Sequence, residues 1–165
     1  SLDEIKLNND SVPASGLFDV IEHIENDQEF LDKIYTATEK NGFVFITAPA
    51  YNFLWSRADT RAAHFRRYTR RELNQKLRKS GFTVIYSTYI FSVLPPFIFL
   101  NRNIIRRLLP EKTGSKKNNP LPIHGKKKGI IGKIMNMIWN IELKLISNKR
   151  KIYFGGTCLV AAKKL

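Results

Sequence analysis

Cysteine is almost missing from this chain of 165 residues: Cys158 stands alone, which excludes an internal disulfide. Such usage is typical of a reducing compartment, so we expect a cytoplasmic protein. Cys158 lies in the apolar run TCLVAA, which predicts a buried, inert thiol and not a nucleophile. Internal repeats are also missing, and the length is sufficient for one domain with a hydrophobic core.

Acidic residues are scarce after the first third of the chain. Residues 61–165 hold 3 Asp/Glu against 24 Lys/Arg, whereas residues 1–60 hold 11 against 4. Unless the basic side chains form only a solvated face, this imbalance predicts contact with phosphate, nucleic acid or an anionic lipid surface. No aromatic-rich motif for binding nucleic acid accompanies the positive charge, so nucleic acid is the less favoured partner.

A hydrophobic run suited to spanning a membrane is lacking as well. Residues 80–101 carry no charge and are long enough, but their first half alternates like a strand, and Pro95 and Pro96 would break a helix. We therefore favour peripheral contact with an anionic membrane over a true span.

The apolar pattern predicts alternating strands and helices. We expect strands over residues 12–18, 43–48, 82–89 and 155–162. One helix should begin with Asp27 as its cap and stop at Asn41 and Gly42, and a second should run from the capping box of Thr69 and Glu72 through Lys79. A third is predicted over residues 130–146, within a helical insertion of about 90–148 whose loop at 110–128 should be the most mobile part. This order predicts an α/β domain with a largely parallel sheet.

The run FDVIEHIEND places titratable side chains directly after the first strand. Asp19, Glu22 and His23 offer two carboxylates and an imidazole, which could bind a divalent cation. The simpler alternative is that Glu22 bonds nearby backbone while His23 packs at the wall of a site. Phe18 belongs either to that wall or to the core.

A second polar run, HFRRYTRR, follows the second predicted strand. Its guanidinium groups, of which Arg66 and Arg67 are the leading candidates, suit an acidic substrate because arginine binds phosphate and carboxylate bidentately. His64 and Tyr68 could transfer a proton. The alternative is a helix entry with solvated arginines and a core tyrosine. In the nearby run YNFLWSR, Tyr51 and Trp55 either line a substrate pocket or simply pack.

Three stretches together resemble the class I S-adenosylmethionine-dependent methyltransferases. Their fourth strand, fourth helix and fifth strand are similar to LFDVIEHIENDQEFLDKIYTATEKNGFVFITAPA. The next helix and strand of the family are similar to HFRRYTRRELNQKLRKSGFTVI, and the closing seventh strand is similar to GGTCLVAAKKL. The resemblance covers residues 1 to about 103 and 151–165. It implies that residues 1–165 form the C-terminal portion of a Rossmann-like domain, with strand order 4-5-7-6 and strand seven antiparallel.

The resemblance also implies S-adenosylmethionine as the cofactor. Leu17, Phe18 and Asp19 correspond to positions along its methionine part, and Ser1 and Leu2 to positions on the adenine side. The glycine-rich loop and the ribose-binding acid of the family are not found in this sequence. We therefore expect this chain alone to bind the cofactor weakly and to be inactive. We also expect the strand over 12–18 to be an unpaired edge through which two copies could dimerise.

The activity implied is methyl transfer to a small acceptor that is acidic or linked to a lipid or sugar, with His23, His64 and Tyr68 as candidates for proton transfer. The spacing of Asp19, Glu22 and His23 is also similar to that in metal-assisted O-methyltransferases of ubiquinone biosynthesis. Many family members carry this run without metal, so we expect none. The alternatives are an RNA or DNA methyltransferase and a non-catalytic module that binds membrane surfaces.

Overall fold

The computed structural model describes residues 8–93, 95 and 130–165. The predicted cofactor positions Ser1 and Leu2 lie outside the described residues, as does the predicted mobile loop at 110–128.

Four strands and four helices make up the described fold. The strands are β1 (Val12–Phe18), β2 (Thr38–Pro49), β3 (Thr83–Ile90) and β4 (Thr157–Lys163). The helices are α1 (Asp27–Ala37), α2 (Arg57–Arg61), α3 (Arg70–Lys79) and α4 (Ile130–Ser147), with short 3-10 turns at Ile21–His23 and Asn52–Leu54. All the predicted strands and helices are present, with boundaries that shift by a few residues.

The sheet has the order β1-β2-β4-β3, which confirms the predicted order and the antiparallel fourth strand. β1 runs parallel to β2, with Phe18 opposite Thr47, while β4 runs antiparallel to β2 on one side and to β3 on the other. Within the described residues, β1 has a neighbour only at β2 and is therefore an edge. The carboxyl ends of β1, β2 and β3 and the start of β4 consequently lie along one border of the sheet.

The core forms where α1 and α3 pack on one face of the sheet. Leu31 of α1 and Leu73 of α3 are fully buried in the same cluster as Val44 of β2 and Val160 of β4. Along β4 every second residue is buried, as expected for a strand with one covered face. Full burial of each such side chain contributes about 2 kcal/mol, so this face accounts for much of the stability. Cys158 belongs to it, and burial raises the pKa of its thiol to about 12, which confirms the prediction of an inert thiol.

Two predicted features of α1 are wrong. The helix ends at Ala37 and not at Asn41 and Gly42, because the backbone N–H groups of Asp10 and Ser11 donate to the carbonyls of Thr36 and Ala37, both at 3.0 Å. The side chain of Asp27 does not cap the helix; Asn26 holds the cap position, and the Asp27 carboxylate bonds to residues from other elements.

The described end of the insertion, α4, lies outside the sheet, as predicted. Its buried Glu142 accepts hydrogen bonds from the backbone N–H groups of Phe91 (2.9 Å) and Ser92 (2.7 Å), which fixes the helix to the end of β3. Among the residues 8–93, 95 and 130–165, no helix combines the length and apolar character needed to cross a membrane.

Candidate active site

A group of polar side chains gathers where β1 and β2 end. In parallel sheets flanked by helices, ligands bind at the border formed by the carboxyl ends of the strands. Phe18, the last residue of β1, is 63% exposed there, whereas Leu17 is buried in the core. Asp19 follows with a positive φ of 52° and is held against β2, because its N–H donates to the Thr47 carbonyl at 3.2 Å and the Thr47 hydroxyl donates to its carboxylate at 3.1 Å.

Three side chains converge next to this point. Glu22 and His23 lie in the 3-10 turn after β1, and His64 comes from the segment after α2. Ligand-type atoms of the three lie within 4.8 Å of one another, and the two imidazole rings meet edge to face at 4.6 Å. The backbone N–H of Phe65 donates to the Glu22 carbonyl at 2.8 Å, which joins the two segments. We call Glu22, His23 and His64 the polar cluster.

Glu22 is an unusual member because its side chain is inside the protein. The residue is 1% exposed, and its Oε2 atom has no hydrogen-bond partner within the part of the chain that the structure describes. Burial is the main cause that raises the pKa of this carboxyl above its ordinary value. This carboxyl therefore holds its proton more readily than a free glutamate does.

His64 is oriented by a buried carboxylate that sequence analysis missed. Its Nδ1 atom lies 3.0 Å from Oδ1 of Asp59, and the same carboxylate accepts from Nε (2.8 Å) and Nη2 (3.0 Å) of Arg67. Burial alone would raise the pKa of Asp59, but hydrogen bonds from Arg67 and Ser56 outweigh it and hold the pKa well below its usual range. An ionised carboxylate only accepts, so Nδ1 of His64 carries the hydrogen and Nε2 is left to accept a proton.

Tyr68 occupies a structural position. It is 2% exposed, and its hydroxyl donates to Oδ2 of Asp27 at 2.8 Å. Burial and this bond raise the pKa of the phenol, so its proton stays in place. This bond gives Tyr68 a role in joining the segment before α3 to α1, and the predicted proton transfer finds no support in its surroundings.

The two arginines predicted as a substrate clamp are paired within the protein. Arg66 bonds to Asp27 at 3.0 Å and to the Glu25 carbonyl at 2.7 Å, and Arg67 forms the bidentate pair with Asp59. Both pairs involve carboxylates that are buried, so the guanidinium groups offset a charge that would otherwise be costly. The two arginines therefore hold the site together.

Aromatic side chains line the other part of the same border. Tyr51, just after β2, has a positive φ of 59° and stacks against Phe53, Tyr89 and Phe154 with ring centroids 5.1–5.3 Å apart. Trp55 is half-buried nearby in the chain. The sequence pattern predicts Tyr51 at this place but not Phe53 or Phe154, because no periodic signal marks aromatic residues in loops.

The polar cluster is also the set of side chains that could hold a metal ion in the described residues. It differs from the set that the sequence suggested. Asp19 is bound to Thr47 and lies outside the cluster, and His64 takes its place.

Residues 16–87 match a family described as a methyltransferase domain. One solved structure of similar fold is phosphoethanolamine N-methyltransferase 2 of Haemonchus contortus in complex with S-adenosyl-L-methionine, with 16% identity and a TM-score of 0.52 over 96% of this chain and 34% of that chain. Another is a SAM-dependent methyltransferase of Archaeoglobus fulgidus, with 14% identity and a TM-score of 0.53 over 97% and 62%. No curated protein matches the chain.

A third is an S-adenosylmethionine-dependent methyltransferase of Mesorhizobium loti, with 12% identity and a TM-score of 0.53 over 99% of this chain and 67% of that chain. The chain thus spans from about a third to two thirds of the length of these structures. Because the sequence identity to these structures is low, their similarity establishes only that the chain shares a Rossmann-like fold with them.

Proposed function

We propose that the chain is part of a class I S-adenosylmethionine-dependent methyltransferase and that it methylates a small acceptor molecule that is acidic or linked to a lipid or sugar. The observation that carries this proposal is the polar cluster with its buried carboxylate, placed at the carboxyl ends of β1 and β2. The solved methyltransferase of Haemonchus contortus acts on phosphoethanolamine, a small acidic molecule, which agrees with the proposed class of acceptor.

The border of the sheet fits a cofactor on one side of the polar cluster. Phe18 presents an exposed apolar ring at the end of β1, and Asp19 follows with its backbone fixed to β2. We propose that Phe18, Asp19 and the backbone of Leu17 contact the methionine part, as the resemblance implies. When bound, S-adenosylmethionine supplies an electrophilic methyl group on a sulfonium, whose leaving thioether is neutral.

His64 is the proposed proton acceptor. An acceptor hydroxyl or amine would have to lose the proton on its oxygen or nitrogen when it is methylated. Nε2 of His64 can take it, because the Asp59 carboxylate fixes the opposite ring nitrogen and stabilises the imidazolium that results. His23, in edge-to-face contact with His64, and the buried Glu22 complete the wall around the attacking atom.

A peripheral contact with anionic membrane is a second proposal, and α4 supports it. Its side chains Ile134, Met137, Ile141 and Leu143 are exposed beside Lys133 and Lys144. Exposed apolar and basic side chains on one helix are typical of attachment to anionic lipid surfaces. We propose a cytoplasmic protein that meets a lipid-linked acceptor at such a surface, and nucleic acid stays the less favoured partner.

The test uses the complete gene product that contains this chain, incubated with S-adenosylmethionine carrying a labelled methyl group. Acceptors would include phosphoethanolamine, small phenolic acids and a lipid extract, with a short RNA as comparison. We expect label in a small acidic or lipid acceptor, and H64Q should reduce the rate at least tenfold while E29Q, an exposed change on α1, should not. Label in RNA alone, or equal rates for H64Q and E29Q, would contradict the proposal.

A further inference from the structure

Arg70 differs from the two arginines that precede it. Arg67 pairs with Asp59 and Arg66 shares Asp27 with Lys76, but no carboxylate within residues 8–93, 95 and 130–165 pairs with Arg70. Its guanidinium donates to the Ser87 carbonyl at 3.3 Å, a contact that occupies one of its five N–H groups. The remaining donors and the full positive charge are available to an anion.

Aromatic rings surround that positive charge. The guanidinium carbon of Arg70 lies 5.7 Å from the ring centre of Tyr89 and 5.8 Å from that of Tyr153. Such contacts hold the planar guanidinium in place and leave its edge to bind an anion through two hydrogen bonds. The backbone N–H of Arg70 also donates to the Tyr89 hydroxyl at 3.0 Å, so the residue is fixed at two points.

The rings continue from Arg70 as a stack with exposed outer members. Tyr89 stacks on Tyr51, and Tyr51 contacts Phe53 and Phe154. Phe53 is 64% exposed, Phe154 42% and Tyr153 77%. The exposed rings of Phe53 and Phe154 against the half-buried Tyr51 offer a flat apolar surface that a ligand ring could cover.

This aromatic group lies beside the polar cluster along the same border of the sheet. Ala50, directly after β2, is bridged to Tyr68, and the Tyr51 N–H donates to the Tyr68 carbonyl at 2.9 Å. Arg67, next to Tyr68, in turn holds Asp59 and thereby His64. The aromatic group and the polar cluster are therefore joined through residues 50–51 and 67–68 at the same border of the sheet.

We propose that Arg70, with the rings of Tyr51, Phe53, Tyr153 and Phe154, binds the acceptor. The acceptor class is then a molecule with a flat apolar or aromatic part and an attached carboxylate, sulfonate or phosphate. The anionic group bonds to Arg70, the flat part covers the exposed rings, and Arg66 and Arg67 take no part in recognition. The identification of the ligand as the methyl acceptor rests on the proposed function, but the test of binding does not need methyl transfer.

Binding of three probes to the purified chain, measured by calorimetry in 0.15 M NaCl without cofactor, tests the subsite. Naphthalene-2-sulfonate carries ring and anion, 2-naphthalenemethanol the ring alone, and methanesulfonate the anion alone. We expect the first to bind most tightly and R70Q to weaken it about tenfold, to the level of the neutral ring probe. R71Q, which removes the adjacent exposed guanidinium, should change its affinity less than twofold.

Equal effects of R70Q and R71Q, or equal binding of methanesulfonate and naphthalene-2-sulfonate, would overturn the subsite. If R70Q does not fold, chemical-shift changes in the unaltered chain decide: naphthalene-2-sulfonate should shift the Nε–H signal of Arg70 and ring signals of Phe53 and Tyr153. Shifts confined to other residues would overturn the proposal as well. Probe binding without any methyl transfer by the complete gene product would leave the subsite standing and refute the proposed reaction.

Discussion

Asp59 and His64 share a hydrogen bond of 3.0 Å between Oδ1 and Nδ1, and the carboxylate that makes it is closed off from water by Arg67. This hydrogen bond connects the His64 imidazole, which is placed to accept a proton, with the Asp59 carboxylate, which the fold keeps ionised. Asp59, His64 and Arg67 all come from the segment between β2 and α3, which includes α2, so one stretch of the chain supplies the whole arrangement.

The D59N variant should lose stability in a way that depends on pH. The folded-state pKa of Asp59 is lowered, so its contribution is fully present above the unfolded pKa of about 4 and is lost as pH falls through the folded value. At pH 7 we expect a loss of about 3 kcal/mol in the free energy of unfolding, because Arg67 is left buried without its partner. Urea titration at pH 7 and at pH 3 would measure it, and the difference between variant and parent should shrink at pH 3.

The control for D59N is E29Q, which removes an exposed carboxylate paired with Lys33 at 3.1 Å. Exposed pairs of this kind contribute less than about 1 kcal/mol. Equal losses in the two variants would show that the buried pair adds no special stability.

Replacing Tyr68 by phenylalanine should affect stability and not catalysis. Y68F deletes the hydroxyl that donates to Asp27, and losing a buried hydrogen bond to a charged group costs about 2 kcal/mol. The rate of methyl transfer by the complete gene product should stay within about twofold of the parent, since the phenol lies away from solvent. A stable Y68F protein with abolished turnover would instead restore the catalytic role that the sequence suggested.

Removing divalent metal should leave the reaction unchanged. Burial raises the pKa of Glu22 and so disfavours the ionised form that a metal ligand needs, and Asp19 is bonded to Thr47. We expect the complete gene product to keep its rate of methyl transfer after dialysis against EDTA. If activity disappears and one divalent ion restores it, the polar cluster is a metal site and His64 is a ligand.

The edge of β1 should promote association between copies of the chain. Within the described part of the protein, one side of this strand has no partner, and such edges pair readily. Sedimentation velocity should show dimers that increase with concentration, and A14K, a charge placed on the exposed edge, should shift the chain toward monomer. Q75K on the exposed face of α3 is the matched change. A parent chain that is monomeric at all concentrations would refute this proposal.

Local chemistry made part of the fold predictable. The capping box of Thr69 and Glu72 is read directly from the sequence, because its bonds join residues three positions apart, and the structure contains it. The end of α1 was not predictable in this way. It depends on the N–H groups of Asp10 and Ser11, which belong to a segment more than twenty residues earlier.

The positions of residues that directly follow a strand were predictable, whereas ion pairs between residues distant in sequence were not. Glu22 and His23 lie at the end of β1, as expected. The basic run after β2 predicted a substrate clamp, but nothing in that run indicates that Asp27 and Asp59 approach Arg66 and Arg67. Arg70 was indistinguishable from them by sequence, since its aromatic neighbours come from β3 and from the segment before β4.

The central place of β4 has a consequence for how the chain folds during synthesis. β2 and β3 do not touch each other; both pair with β4, which begins at Thr157, long after β3 ends at Ile90. Until the ribosome has released that last segment, β2 and β3 each keep a row of backbone groups that no neighbouring strand pairs with. Contacts between residues so far apart in sequence form slowly, so the sides of β2 and β3 that β4 later covers stay unpaired in the nascent chain. Chaperone binding before β4 emerges would therefore be most useful to this protein at that stage of translation.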